Sequence, residues 1–350
     1  ALFHPQGLEL HESRPYRELC DSEAMSTIPF DGPYYDDLAP GHVFESPPAV
    51  TLEGGLAAAF QAIAGEELPL PFDRRLSEAV TGDPRRLASP GLVLQVAIGA
   101  TTVATKRVIA NLVYRNVKLK RPVFEGETLH TTTRVLAMAD GSTKPGRAPR
   151  GKALLGISTT ADGEEILDCQ RCPLIRLRGD ELPGFHDDLG TADSDLHLGA
   201  WADAAPAHWN LAPLGASAQW EVGETRADPM RDVVDNATAL VRLTHNLASV
   251  HRDVGASPYD VRLVYGGHTV ALAQASLSRL MPGIAWVVGW HNCEHTGPVF
   301  EQDLLSFEHT LVADEPLGDG RLRALQVLVR AHREDGPVDV LDWTPVVFST

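Results

Sequence analysis

The chain has 350 residues, of which 43% are hydrophobic, and a formal net charge of −17 at pH 7. This length predicts two domains with a substantial core, and the acidic balance disfavours a nucleic-acid or anionic-membrane partner. Apolar runs are broken well before a membrane span, the first residues lack a signal-peptide pattern, and four scattered cysteines form no disulfide framework. We therefore expect a cytoplasmic protein with no nucleic-acid or membrane partner.

The first half begins with an aperiodic N-terminal arm, residues 1–33, and continues as a mixed helical and strand-like unit over residues 34–178. The predicted helices cover residues 56–64 and 89–100, and the predicted strands cover residues 109–118, 128–138, 152–160 and 165–177. A helix followed by antiparallel strands predicts an α+β unit in which a sheet wraps around one helix.

The second half repeats this organisation after an acidic, aperiodic stretch, residues 179–215, which we interpret as a linker. Pro122-Val-Phe-Glu recurs as Pro298-Val-Phe-Glu, 176 residues later, and the same offset places Gly91 on Gly267. An internal repeat of this kind predicts two tandem copies of one fold. We expect the sheets of the two copies to join into one continuous pseudo-dimeric sheet.

The strongest candidate site is in the second half, residues 216–350. An apolar helical pattern ends near Asn246, and His251 follows five residues later. A carboxamide and an imidazole at this spacing lie about 140° apart on a regular helix, so they converge on one ligand only where the chain bends. Gly266 and Gly267 then open a second helical run, and amides at a helix N-terminus suit a developing oxyanion. The alternative is a buried histidine followed by an ordinary glycine turn.

Basic residues are concentrated in the first half. Residues 84–124 contain no Asp or Glu but eight Lys and Arg, among them Lys106, Arg107, Arg115 and Lys118. Such a cluster in an acidic protein can hold the phosphates of a small molecule, and a solvated basic face is the alternative. The first copy also lacks a histidine equivalent to His251. We therefore interpret the first copy as ligand-holding and the second as catalytic.

Cys169 and Cys172 have the spacing of a metal or redox pair. No second pair completes a tetrahedral site, and the surrounding pattern is that of a strand. We expect no metal site in the chain.

Several short segments resemble the MaoC-like enoyl-CoA hydratases of the hot-dog fold. They are the polar residue five before a histidine, the step Leu263-Val-Tyr-Gly-Gly and the later segment Gly297-Pro-Val-Phe-Glu-Gln-Asp. The resemblance covers residues 33–348, implies an α+β double hot-dog, and is greatest to the branch that acts on mesaconyl-CoA. It implies a hydro-lyase that reversibly adds water to an α,β-unsaturated acyl-CoA and needs no cofactor, since coenzyme A is part of the substrate. It also leads us to expect a homodimer or higher homo-oligomer.

The resemblance assigns a role to each residue of the candidate site. His251 acts as the general base, Asn246 holds the water, and the amides of Gly266 and Gly267 stabilise the enolate oxygen. In the broad family the position of Asn246 is an aspartate, and a carboxamide orients water but cannot transfer a proton. The alternatives for the missing proton function are His245 and Asp253.

The acyl group of the mesaconyl branch ends in a carboxylate, whose burial requires a cation or several donors. Arg262 and His268 flank the glycine pair, so we expect them to contact this end of the acyl group. Two alternative functions remain open, an acyl-CoA thioesterase of the same fold and a non-catalytic acyl-CoA-binding protein.

Overall fold

A computed structural model of the protein describes residues 31–45, 48–142, 146, 148–191, 195–217 and 219–350. Residues 1–30 of the predicted arm, with Cys20, lie outside the described residues. The helices are α1 (Gly54–Ala64), α2 (Pro69–Phe72), α3 (Arg74–Thr81), α4 (Pro90–Ala100), α5 (Ala237–Leu243) and α6 (Gly266–Leu280). None of these helices is long and apolar enough to cross a membrane.

The strands form two antiparallel sheets. They are β1 (Val43–Glu45), β2 (Val50–Thr51), β3 (Val108–Arg115), β4 (Val117–Lys118), β5 (Thr128–Asp140), β6 (Arg150–Ala161), β7 (Glu164–Arg176), β8 (Thr225–Ala227), β9 (Asp232–Val233), β10 (Ile284–Glu294), β11 (Leu304–Leu317), β12 (Gly320–Arg333) and β13 (Gly336–Ser349). The first sheet has the order β1-β5-β6-β7-β3, with β2 on β5. The second has the order β8-β11-β12-β13-β10, with β9 on β11 and β4 on β10.

The two sheets repeat the same topology. The offset of 176 residues that relates Pro122 to Pro298 also places the first residues of α4, β3 and β5 on the first residues of α6, β10 and β11. The predicted repeat is therefore confirmed, and the fold is an α+β double hot-dog.

A buried helix fills each copy. α4 is apolar on all sides and begins where the hydroxyl of Ser89 accepts a hydrogen bond from the amide of Leu92 at 3.2 Å. The two central helices touch, because Nε2 of Gln95 on α4 donates to the carbonyl of Gly267 on α6 at 3.0 Å. Both helices lie in the core, and buried residues occur on every face of each helix rather than along one stripe.

The sheets meet at one kink in the first copy. Asn116 adopts a left-handed conformation with a φ of 56°, which turns the chain from β3 into β4. β4 then pairs with Gly289 and Trp290 of β10, and Leu119 bridges back to Leu167 of the first sheet. We expected one continuous sheet. The structure instead has two sheets that join at this crossing, because a residue with positive φ interrupts the regular ladder of backbone hydrogen bonds.

The stretch interpreted as a linker packs on the protein. It contains a 3₁₀ turn, Leu198–Trp201, and its buried side chains include Trp201, Trp209 and Leu211. A Cβ on Gly289 would lie 2.8 Å from the ring of Trp201, so this indole packs on β10. The stretch therefore connects the copies and also covers part of the second sheet.

Candidate active site

The segment between α5 and α6 carries the predicted catalytic pair. α5 ends at Leu243, and His245 has a φ of 53°. The chain is then irregular until a single 3₁₀ turn, Ser249–His251. This is the bend that convergence requires, and the side chains of Asn246 and His251 both line one cavity.

The segment is fixed to the first copy of the fold. The amide of Leu247 donates to Oγ1 of Thr102 at 2.7 Å. The amide and the hydroxyl of Ser249 both donate to the carbonyl of Lys106, each at 3.0 Å. The conformation of the catalytic segment therefore depends on contact between the two copies.

The cavity lies between the copies and has a volume of about 290 Å³. Ligand pockets for larger molecules span about 300–1,000 Å³, so this volume suits a short acyl group. Its polar wall groups come from both copies: Asn111, Tyr114, Arg171, Asn246, His251, Tyr265, Thr269 and His295. Most of the remaining wall is apolar and includes Val108, Ile109, Ala110, Ala248, Val250, Leu263, Val264, Pro298 and Val299.

His251 is held as a neutral imidazole with one basic nitrogen. Nδ1 lies 2.9 Å from the carbonyl oxygen of Leu263, which can only accept, so Nδ1 carries the proton. Burial lowers the pKa of His251 to about 4, the hydrogen bond to Leu263 opposes this shift, and the charge of Arg171 adds to it. Nε2 is therefore unprotonated at neutral pH and can accept a proton.

Asn246 presents a donor to the cavity. It is 1% exposed, and its Oδ1 accepts a hydrogen bond from the amide of Ala248 at 2.9 Å. This bond fixes the rotamer, so the side-chain NH₂ group is left for a ligand or a water. The exposed His245 and Asp253, by contrast, do not line the cavity, and Asp253 accepts from the amide of Gly255.

The glycine pair forms the first turn of α6. Gly266 lines the cavity, whereas Gly267 lies behind it against Gln95. The first amides of a helix have no intrahelical acceptor, and the N-cap residue Tyr265 supplies no side-chain cap. The N-terminus of α6 thus offers unpaired N–H groups at the cavity wall.

The sequence analysis missed most of the polar residues in the cavity wall, among them Tyr114, Arg171 and His295. A Cβ on Gly266 would lie 2.5 Å from Nε2 of His295, so this ring packs directly on the glycine. Burial lowers the pKa of His295 to about 4, so this ring is also neutral. The sequence signal that could have identified His295 was the repeated Pro-Val-Phe-Glu segment, which begins three residues after it.

The structure does not bring Arg262 or His268 into the cavity. Nη2 of Arg262 pairs with the carboxylate of Glu301 at 2.6 Å, and His268 is 1% exposed within α6. Proximity to the glycine pair along the chain was a poor guide, because Arg262 lies in irregular backbone before α6 and turns to Glu301, while His268 lies on a buried face of the helix away from the cavity. The expected contacts of both residues with the acyl group therefore need correction.

The basic stretch divides into two parts. Nζ of Lys118 pairs with Asp203 at 3.0 Å, and Arg115 donates to the carbonyls of Leu189 and Gly190, so both cations bind the linker. Lys106 and Arg107 instead directly precede Val108, at the end of β3 that lines the cavity. The side chain of Arg107 donates to the carbonyl of Asp31 and stacks on Tyr34.

Two further predictions concern metals. Within the described ranges, no group of three or more His, Cys, Asp or Glu side chains could hold a metal ion. Cys169 and Cys172 are buried free thiols on β7, and burial raises the pKa of Cys169 to about 12.

Comparisons with known proteins agree with this architecture. No protein-family model matches the chain. The chain is 24% identical over 313 residues to mesaconyl-CoA hydratase of Cereibacter sphaeroides, which covers 83% of this chain and 88% of that protein. It is 24% identical over 295 residues to β-methylmalyl-CoA dehydratase of Chloroflexus aurantiacus, which covers 80% of this chain and 82% of that protein.

Solved structures give the same architecture. A conserved hypothetical protein of Mycobacterium tuberculosis, described as essential for bacterial survival during infection and as having a double hot-dog fold, is 40% identical. The match covers 91% of this chain and 99% of that chain, with a TM-score of 0.84. A putative MaoC domain protein dehydratase of Chloroflexus aurantiacus is 22% identical, covers 93% of this chain and 99% of that chain, and has a TM-score of 0.73. At that identity the second match supports the fold alone.

Proposed function

Because the chain belongs to the MaoC-like double hot-dog family of hydratases and dehydratases, we propose that it reversibly adds water to an α,β-unsaturated acyl-CoA. The observation that carries the proposal is one cavity containing a neutral His251, the amide donor of Asn246 and the N-terminus of α6. As the substrate we propose mesaconyl-CoA, which is hydrated to β-methylmalyl-CoA. The two curated relatives are named for this pair of compounds.

His251 is the base that activates water in the proposed reaction. Asn246 donates a hydrogen bond to the water oxygen, while Nε2 of His251 accepts one of its protons as the oxygen attacks Cβ. The resulting imidazolium then delivers that proton to Cα. Hydroxyl and hydrogen are thereby added across the double bond and His251 returns to its neutral form, so Asn246 need not transfer a proton.

The N-terminus of α6 stabilises the enolate. Attack at Cβ moves negative charge to the thioester oxygen, and the amide of Gly266, at the N-terminus of α6 and in the cavity wall, is a donor suited to that position, whereas Gly267 lies behind the wall. His295 packs on Gly266 and can provide a further N–H at this end of the cavity. The proposed reaction uses no metal or redox cofactor, and coenzyme A enters as part of the substrate.

The phosphates of coenzyme A are proposed to meet the basic residues beside the cavity. Lys106 and Arg107 are the better candidates of the basic stretch, because they directly precede Val108 at the end of β3 that lines the cavity, whereas Arg115 and Lys118 bind the linker. The pantetheine arm would then enter along the start of β3, where Val108, Ile109 and Ala110 form an apolar wall.

A panel of thioesters tests the proposal. The protein is incubated with mesaconyl-CoA, crotonyl-CoA and a longer enoyl-CoA, and absorbance of the conjugated thioester and product mass are recorded. We expect loss of absorbance and a product heavier by one water. Release of free coenzyme A would indicate a thioesterase, and binding without any product would indicate a binding protein, and either result would contradict the proposal.

A further inference from the structure

Arg171 is a buried cation in the cavity wall. It lies on β7 within the segment Cys169-Gln-Arg-Cys172 and is 4% exposed. Its cross-strand partner on β3 is Tyr114, which lines the same cavity. Neither residue belongs to the catalytic copy, so the first copy places a positive charge beside the groups of the second.

Among the described residues, Arg171 lacks the carboxylate partner that two other largely buried arginines have. Arg279 pairs with Asp228 at 2.7 Å, and Arg323 pairs with Asp314 at 3.3 Å. No carboxylate among the described residues forms an ion pair with Arg171. Because burying a charge is unfavourable unless it is paired, an unpaired guanidinium in a cavity indicates a missing anionic partner.

The neighbouring polar atoms are also incompletely bonded. The guanidinium of Arg171 donates to Oγ1 of Thr105 and hydrogen-bonds the side chain of Tyr114, but its Nε has no hydrogen-bond partner among the described residues. The hydroxyls of Tyr265 and Thr269, in the same wall, also lack partners within the described ranges. Buried polar groups are normally hydrogen-bonded, so this cluster is built for a polar ligand.

We propose that Arg171 is the specificity-determining residue that binds the distal carboxylate of the acyl group in the substrate proposed above. This inference rests on the proposed function and replaces Arg262 and His268 as the contacts at the acyl end. A guanidinium matches a carboxylate with two parallel hydrogen bonds, and Tyr265 and Thr269 offer further donors.

The position of Arg171 relative to the base fits this substrate class. In mesaconyl-CoA the carboxylate is bonded to Cβ, the atom that water attacks, so its binding group must lie next to the base. Arg171 and His251 line the same cavity, and the charge of Arg171 contributes to lowering the pKa of His251. A bound carboxylate would compensate this charge and make His251 a stronger base, which links recognition of the correct acyl group to catalysis.

The first experiment uses the unmodified protein. We measure kcat/KM for mesaconyl-CoA, for its methyl ester at the distal carboxyl, and for crotonyl-CoA. A charge-assisted hydrogen-bonded contact predicts a preference of about 100-fold for the free acid. Equal efficiencies for acid and ester would overturn the inference, whereas no hydration of any thioester would overturn the proposed function instead.

A binding measurement tests the role of Arg171 independently of the proposed hydratase activity. The saturated methylsuccinyl-CoA and its distal methyl ester cannot be hydrated, and their dissociation constants are measured by calorimetry. Tighter binding of the free acid by roughly 10- to 100-fold is expected whether or not the protein is a hydratase. Equal affinities would contradict the role of Arg171.

Variants then assign the effect to one residue. Arg171→Met should remove the preference for the free acid, and Arg171→Lys should restore part of it. In Arg171→Met the acidic limb of the pH profile should also move to higher pH. Arg176→Met is the matched control, because Arg176 lies on the same strand, donates to the carbonyl of Ala256 and does not line the cavity. An unchanged acid-to-ester ratio in Arg171→Met would refute the assignment.

Discussion

Nδ1 of His251 lies 2.9 Å from the carbonyl oxygen of Leu263, which fixes the tautomer of the imidazole. The bond connects the two ends of the segment between α5 and α6, so the same contact orients the ring and shapes the cavity. The basic nitrogen is thereby directed away from the backbone.

Replacing His251 should abolish most of the hydration rate. For His251→Ala we expect kcat to fall by about 10²–10⁴-fold, the usual contribution of a general base, with the fold retained. The hydration assay measures this, and His245→Ala is the control, because His245 is exposed and outside the cavity. A near-normal kcat in His251→Ala would exclude this residue as the base.

The pH profile should reveal a depressed histidine pKa. Burial lowers the pKa of His251 to about 4, so the neutral form persists as the pH falls and is lost only near that value. An unperturbed imidazole would already be about nine-tenths protonated at pH 5.5. We therefore expect kcat/KM to be nearly constant between pH 7 and about 5.5. A fall centred near pH 6.5 would contradict this environment for the base.

Replacing Asn246 by an acid should alter the basicity of His251 rather than supply a second base in its place. In Asn246→Asp the side chain can still accept from the amide of Ala248, but a buried carboxylate would favour the imidazolium. We expect the acidic limb of kcat/KM to move to higher pH and kcat at pH 7 to fall. Asn246→Ala should lower kcat without moving the limb, and identical profiles in both variants would argue against a direct influence on His251.

Charge removal beside the cavity should weaken binding of the coenzyme. For Lys106→Gln and Arg107→Gln we expect KM for the full acyl-CoA to rise while kcat changes little, because phosphate contacts contribute equally to ground and transition states. Thioesters of pantetheine alone should be unaffected. Lys118→Gln, which removes a cation paired with Asp203, should leave both substrates nearly unchanged. An equal effect on full and truncated thioesters would assign Lys106 and Arg107 to a solvated face.

Substitution of one glycine should weaken the contact between the two copies. A Cβ on Gly99 of α4 would lie 2.1 Å from the backbone oxygen of Thr244, just before Asn246. Gly99→Ala should therefore lower the free energy of unfolding by about 1–3 kcal/mol and reduce activity. Urea unfolding provides the measurement, with Gly55→Ala as control because that position has open space and lies in a helix. Unchanged stability of Gly99→Ala would show that the helix and the segment can separate freely.

The sequence by itself determined the repeat and the elements that carry it. Strand alternation, the two apolar helices and the recurrence of Pro122-Val-Phe-Glu at Pro298 depend on local periodicity, which survives in any tertiary context. The pairing of Asn246 with His251 was also accessible, because their spacing is incompatible with a regular helix and so requires a break.

Only the tertiary structure decided which cations face the ligand. Arg262 is a neighbour of the glycine pair in sequence, yet it pairs with Glu301 outside the cavity. Arg171 is distant in sequence, yet the packing of β3 and β7 against the second copy brings it to the wall near His251. Periodicity predicts which face of an element is buried. Which buried side chains meet across the two copies depends on how the copies pack, and no local pattern in the sequence encodes that packing.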